Sequence, residues 1–78
     1  MLRYTHDRKA DAVYIYFSDS PYAGGKDLDD LRRIDYDINK KPVGLEILCV
    51  SQGVNLENVP HASEVEIILA RENIRVLA

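Results

Sequence analysis

An aromatic and β-branched segment near the amino terminus constrains the fold of this chain more than any other feature. Val13, Ile15 and Phe17 alternate there with Tyr14 and Tyr16, and residues of these kinds favour a pleated strand. Because successive side chains of a strand point to opposite faces, the first three share one face and the two tyrosines share the other. We therefore predict a strand that is largely apolar on both faces.

The remaining elements follow from the same alternation and from a later change of period. Alternating apolar residues predict further strands at residues 2–5, 31–37 and 43–50. After the last of these the apolar residues recur at helical spacing, and Ser63 followed by Glu66 resembles a capping box. We predict an α+β fold: a small antiparallel β-meander of about four strands, with a carboxy-terminal helix packed on the face that lacks the tyrosines.

The connections are predicted from composition and from the burial of facing residues. Residues 19–30, which contain four aspartates, two glycines and Pro21, are expected to form a loop. The hairpin between the last two strands is predicted in the register that gives one hydrophobic face and one ion pair. In that register the facing pairs are Ile34–Leu45, Tyr36–Val43 and Arg33–Glu46.

The length of 78 residues indicates a single domain, residues 1–78, with a thin hydrophobic core. Cys49 is the one cysteine, so it cannot form an internal disulfide, and its apolar neighbours indicate a small buried hydrophobe. No cofactor is predicted. Since no internal disulfide can stabilise so small a core, we expect association with a second subunit to do so.

Charge and hydropathy argue against two classes of partner. The net charge of −3 and the absence of a basic stripe oppose nucleic-acid binding, which requires neutralised phosphates. The longest apolar run, residues 67–70, is far too short to cross a membrane, so no membrane partner is predicted. The amino terminus lacks the apolar stretch of a signal peptide, and we therefore expect a cytoplasmic location.

Asp35, Asp37 and Glu46 are the candidates for chemistry. Alternate residues of a strand share a face, so both aspartates would project together, and the predicted register adds Glu46. Three carboxylates could hold a hard cation or act as a general acid and base. The simpler alternative, which we favour, is that Asp37 begins a turn, Asp35 solvates a strand edge and Glu46 pairs with Arg33. No catalytic residue is predicted.

A partner interface is predicted on the tyrosine face. Tyr14, Tyr16, Leu48 and Val50 would lie there, and one short helix can cover only one face of a small sheet. Exposed apolar patches of this kind mark interaction sites, and tyrosine is enriched in them. The expected occupant is a second copy of the chain or a small protein. The alternative is that the carboxy-terminal tail buries both faces within one chain.

Two stretches carry a family resemblance. They are Tyr4-x-x-Asp7-x-x-Ala10-Asp11-Ala12-Val13-Tyr14-Ile15-Tyr16, and Asp35-Tyr36-Asp37 followed after a turn by Val43-Gly44-Leu45-Glu46-Ile47-Leu48. Over residues 2–51 the chain resembles the prokaryotic domain-of-unknown-function family 2283 (DUF2283), and residues 52–78 resemble a helical extension carried by some members. Members often have Asp-Gly at the hairpin turn, where this chain has Asn39-Lys40-Lys41-Pro42.

The resemblance implies a small antiparallel sheet with few helices and supplies no activity. Some members look like neighbours of small toxin-like proteins, which implies an antitoxin-like role. Together with the two-sided strand, this predicts a non-enzymatic protein–protein interaction module that forms a homodimer. The alternative is a metal-binding or ligand-binding protein, or an enzyme, that uses Asp35, Asp37 and Glu46.

Overall fold

The fold is α+β, as predicted, and its main sheet has five antiparallel strands rather than about four. A computed structural model describes residues 2–77. The strands of this sheet are β1 (Arg3–Asp7), β2 (Ala12–Tyr16), β3 (Gly24–Asp27), β4 (Arg32–Tyr36) and β5 (Pro42–Leu48). The additional strand, β3, lies within the segment that was expected to be a loop.

The strand order is β1-β2-β5-β4-β3, so the sheet is a hairpin joined to a three-stranded meander. The connection after β2 carries the chain to the far edge, and β5 then returns to lie beside β2. This one connection departs from the predicted simple meander. Its physical reason is burial, because Val43, Leu45 and Ile47 of β5 are buried and a central position gives them neighbours on both sides.

The carboxy-terminal part adds a helix and a second small sheet. A 3-10 helix spans Val50–Gln52, and β6 (Val54–Asn55) pairs in parallel with β7 (Val76–Leu77). Between these two strands lies α1 (Ala62–Arg71). No helix within residues 2–77 is long and apolar enough to span a membrane.

The start of α1 differs from the predicted capping box. The residue before its first turn is His61, which has the left-handed φ of 54° and makes no side-chain cap hydrogen bond. Ser63 therefore already lies inside the helix and does not cap it. After α1, Asn73 takes a left-handed φ of 59°, which ends the helix as expected of asparagine.

The core lies between α1 and one face of the sheet. Val65, Ile68 and Leu69 of α1 are fully buried in the same cluster as Val13 and Ile15 of β2. The helix therefore covers the predicted face, with Phe17 partly buried at its margin. The other core side chains are Ile34, Leu45, Ile47, Val50, Val54, Val59 and Ile74.

The predicted hairpin register is confirmed at Ile34–Leu45 and at Arg33–Glu46. It is wrong at Tyr36, which faces Pro42 rather than Val43, because a β-bulge lies between Asp35 and Tyr36. An extra residue on one strand shifts every later pair by one position.

Val50 does not lie on the tyrosine face. Strand β5 ends at Leu48, and Cys49 adopts a left-handed φ of 54°, which interrupts the alternation of side chains. Val50 is consequently turned into the core and is 2% exposed. The prediction that Val50 contributes to a partner interface is wrong for this reason.

The Arg32 side chain links the main sheet to the carboxy-terminal part of the chain by hydrogen bonds. Its side chain is 8% exposed and donates to the backbone oxygens of Asn55 at 2.8 Å and Glu57 at 2.6 Å. The Nε and Nη2 atoms donate to Asp29 Oδ2 at 3.1 and 2.9 Å. The bonds from Arg32 lower the pKa of Asp29, so its carboxylate stays ionised and holds the buried arginine in place.

Candidate functional site

The sheet face opposite α1 carries no helix of the described chain, and we call it the open face. The alternation of side chains along each strand, together with the pairing registers, places one set of residues there. Its members are Arg3, Thr5, Asp7, Ala12, Tyr14, Tyr16, Gly25, Asp27, Arg33, Asp35, Gly44, Glu46 and Leu48. The predicted partner residues Tyr14, Tyr16 and Leu48 are therefore on one surface.

Tyr14 lies across β5 and reaches β4. Its hydroxyl donates to Asp35 Oδ2 at 2.6 Å. The ring passes over Gly44, where any Cβ atom would collide with the tyrosine hydroxyl, so glycine is required for this arrangement. Burial, and then the bond to the carboxylate, raise the pKa of Tyr14. The hydroxyl therefore stays protonated and fixes the ring on the face.

Tyr16 continues this layer toward β1. Its ring meets the ring of Tyr14 edge to face, with centroids 4.8 Å apart and planes at 66°. The guanidinium of Arg3 lies 4.2 Å from the centroid of the Tyr16 ring, close enough for a cation–π contact. Arg3 also approaches Asp19 at 3.7 Å, in the connection that follows β2.

Arg33 continues the layer toward β3. Its guanidinium lies over Gly25 and contacts Asp27 Oδ1 at 3.2 Å and Asp35 Oδ1 at 3.4 Å. Nη2 also donates to the hydroxyl of Tyr22 at 3.3 Å. The predicted ion pair with Glu46 is not among these contacts, although the two residues face each other. The carboxylates of β3 and of β4 itself bind the guanidinium instead.

We expected an apolar surface here, because β2 is apolar on both faces. The open face is more polar than that expectation. Tyrosine rings, guanidinium groups and carboxylates on this face contact one another. Leu48, which is 38% exposed, supplies aliphatic surface at one end, and Leu31 beside it is 41% exposed. Residues 2–77 place no helix over this face.

The carboxylate candidates do not converge. Asp35 accepts the bond from Tyr14 and contacts Arg33, and Glu46 lies on the same face. Asp37 lies beyond the bulge, where its Oδ1 accepts backbone N–H bonds from Asn39 at 2.8 Å and from Lys41 at 3.0 Å. Asp37 thus shapes the hairpin turn. In the described part of the chain no three His, Cys, Asp or Glu side chains are grouped to hold a metal.

A second polar cluster, which sequence reasoning missed, joins β1 to the end of α1. Glu72 accepts a bond from the Tyr4 hydroxyl at 2.6 Å and contacts His6 Nδ1 at 2.8 Å and Arg8 Nη2 at 3.4 Å. The His6 and Glu72 side chains are 10% and 18% exposed. The residues are 64 to 68 positions apart, so no local pattern in the sequence could have indicated their contact.

Replacing Glu72 by glutamine is expected to lower the melting temperature at neutral pH and to have little effect in acid. The bonds from Tyr4, and then from His6, lower the pKa of Glu72 below its ordinary 4.5. A lowered folded-state pKa stabilises the fold above the ordinary value, and this stabilisation is lost as the pH falls through the lowered pKa.

Melting curves of the parent protein and of Glu72→Gln, recorded from neutral pH into acid, measure this effect. Glu66→Gln, at an exposed position of α1, is the control and should track the parent at every pH. A difference between the parent and Glu72→Gln that stays constant with pH would contradict the expectation.

Comparison with known proteins finds one family. The family model described as "Protein of unknown function (DUF2283)" matches residues 3–51, which include all five strands of the main sheet. No curated protein and no solved structure matches the chain significantly. Because the match covers more than half of the 78 residues, as the resemblance predicted, the chain belongs to the DUF2283 family.

Proposed function

We propose that this protein is a non-enzymatic interaction module that binds a partner protein through its open face, in the cytoplasm. The observation that carries the proposal is a sheet face with half-buried Tyr14 and Tyr16, flanked by Arg3 and Arg33, over which residues 2–77 place no helix. A surface of this kind is fixed before any partner arrives, so little side-chain entropy is lost on binding.

The composition of the open face favours a different protein as its partner over a second copy of the chain. Contacts between separately folded proteins are rich in tyrosine and arginine and are no more apolar than the rest of the surface, whereas homodimer contacts are more apolar. The open face, with its tyrosines, Arg3 and Arg33, has the composition typical of a contact between separately folded proteins. Leu48 at its end is the aliphatic anchor.

A homodimer remains part of the proposal, because a domain of this size gains stability from a second subunit. The open face does not have to form that contact. The antitoxin-like role stays a prediction, and a small toxin-like protein is one partner that the open face could bind. Neither Asp35 nor Glu46 meets a third carboxylate, so nothing favours the alternative of a metal site.

The proposal is tested by capture from an extract of the native host, followed by binding with the purified partner. Tyr16→Ala is expected to weaken binding roughly thirtyfold, since loss of a central aromatic anchor costs about 2 kcal/mol. Leu48→Lys should also weaken binding, because it places a charge at the aliphatic end of the face. Ile67→Lys is the matched control, because Ile67 is 58% exposed on the outer side of α1. Hydrogen exchange in the complex should slow in β2 and β5.

The binding of the variants, compared with that of the parent, decides whether the partner uses the open face. A partner that binds the parent and Ile67→Lys equally, and binds both open-face variants weakly, supports the proposal. Equal binding to all four proteins, or protection confined to α1, would place the contact elsewhere and remove the proposed function.

A further inference from the structure

Strand β1 forms one edge of the five-stranded sheet, and its charged residues of opposite sign, Arg3 and Asp7, stand at its two ends. It has five residues, an unbroken register with β2, and neither proline nor lysine. The opposite edge, β3, is a four-residue Gly-Gly-Lys-Asp strand, which is short and carries a lysine. Exposed edges without such devices are templates for another strand. Of the two edges, β1 is therefore the one that can accept a partner strand.

The backbone groups that β1 presents can be identified from the ladder. Phe17 N–H donates to Val43 O at 2.9 Å. Counting back from Phe17 by twos, the backbone groups of Ile15 and Val13 therefore also point toward β5. Those of Tyr14 and its alternate neighbours then point toward β1, where Thr5 faces Tyr14. The N–H and C=O groups of Tyr4 and His6 are thus directed outward from the sheet.

The sequence of β1, Arg-Tyr-Thr-His-Asp, is complementary to itself when read in the opposite direction. An antiparallel pairing with its two-fold axis at Thr5 sets Tyr4 opposite His6, the two residues whose backbone groups are free to bond. The same pairing sets Arg3 opposite Asp7. These two form a pair without backbone bonds between them, in which side chains approach most closely and opposite charges stabilise the sheet.

The neighbouring registers that also match the outward groups lose this complementarity. An axis at Tyr4 sets Arg3 opposite Thr5, and an axis at His6 sets Asp7 opposite Thr5 and brings the two histidines together. In both cases the charges at the ends of the strand have no partner of opposite sign. The charge pattern therefore selects the register centred on Thr5 and disfavours pairing with unrelated strands.

From this edge we infer that a second copy of the chain adds to β1, in antiparallel register about Thr5, and joins the two five-stranded sheets into one. The Arg3 side chain, 68% exposed, is accessible for the contact with Asp7 of the other copy. One oxygen of Asp7 accepts the N–H of Ala10 at 3.0 Å, and the other is available to the guanidinium. The two open faces then lie side by side on one continuous surface. The inference stands on the edge alone and does not depend on the proposed function.

Charge reversal at the two ends of β1 tests the register. In Arg3→Asp or Asp7→Lys, like charges face each other twice in the dimer, and we expect self-association about tenfold weaker than in the parent. An equimolar mixture of these two variants restores opposite charges at both positions. It should form a heterodimer of twice the 8.9 kDa mass of one chain, seen by light scattering over a dilution series.

A crosslink tests the position of the two-fold axis. Thr5→Cys in a Cys49→Ser background should form a disulfide-linked dimer under mild oxidation, because the two side chains at the axis lie directly opposite. Leu48→Cys in the same background is the control and should stay uncrosslinked. Leu48→Lys, on β5 two strands in from the edge, should still self-associate.

Three results would overturn the inference. One is a monomer of the parent protein at millimolar concentration. Another is a dimer that Arg3→Asp and Asp7→Lys leave unchanged. The third is a dimer that Leu48→Lys abolishes, which would assign self-association to the open face. The first two results leave the binding of a different protein to the open face untouched, so this inference can fail while that part of the proposed function stands.

Discussion

Replacing Ile68 by alanine is expected to lower the free energy of unfolding by about 3 kcal/mol, since a buried isoleucine leaves both lost transfer energy and a cavity. Ile68 is 0% exposed and packs in the cluster shared by α1 and the sheet. For a domain of this size each kcal/mol corresponds to roughly 4–8 °C in melting temperature. The loss is thus a large part of the total stability.

The neighbouring residue provides a matched control. Ile67 has the same side chain on the same helix but is 58% exposed, and Ile67→Ala should change stability by no more than about 0.5 kcal/mol. Urea unfolding, followed by circular dichroism and by tyrosine fluorescence, measures both variants. Similar losses from the two variants would show that α1 does not pack on the sheet as described.

Replacing Arg32 by methionine is expected to cost about 3 kcal/mol, because it leaves two backbone carbonyls and one carboxylate without their donor. The carbonyls belong to Asn55 and Glu57, and the carboxylate to Asp29. Methionine retains most of the apolar stem, so the loss reflects the missing hydrogen bonds more than packing. β6 and the segment after it should be released from the sheet.

The control for this substitution is the adjacent arginine. Arg33 has 39% of its side chain exposed and makes its ion pairs at the surface, where such pairs contribute up to about 1 kcal/mol. Arg33→Met should therefore be the milder change in thermal unfolding. Hydrogen exchange at Val54 and Asn55 should accelerate in Arg32→Met alone. Equal destabilisation by both substitutions would refute the role assigned to Arg32.

The strands with strong side-chain patterns were predictable, and the one without them was not. β2 and β5 carry alternating buried residues, and the facing pairs Ile34–Leu45 and Arg33–Glu46 followed from that alternation. β3 consists of Gly-Gly-Lys-Asp, which has no strand preference. It is a strand because β4 provides backbone partners for it. This is a tertiary effect that the local sequence pattern does not predict.

Single backbone irregularities account for the residues that were misplaced. The bulge before Tyr36 shifts its partner to Pro42, and the left-handed Cys49 turns Val50 inward. Asp37 follows the end of β4 and lies in the hairpin turn, which separates it from the other carboxylates. A positive φ is uncommon in a residue other than glycine, so no pattern rule predicts the left-handed conformation of Cys49.

The character of the open face was predicted in part. Alternation placed Tyr14, Tyr16 and Leu48 on one surface, and they are there. Alternation does not say how far a long side chain reaches, and the bonds from Tyr14 to Asp35 and from Arg33 to Asp27 cross between strands. These contacts, together with Arg3 over Tyr16, make the face polar where residue type alone suggested an apolar surface.

The Tyr14 ring crosses β5 at Gly44, so positions 14 and 44 constrain each other in the evolution of the sequence. While a tyrosine occupies position 14, even a methyl group at position 44 would push its hydroxyl away from Asp35. A chain that diverges from this one therefore loses the bond between Tyr14 and Asp35 when position 44 acquires a side chain. We expect relatives with a tyrosine at position 14 to keep glycine at position 44, and relatives with a shorter residue at position 14 to vary there.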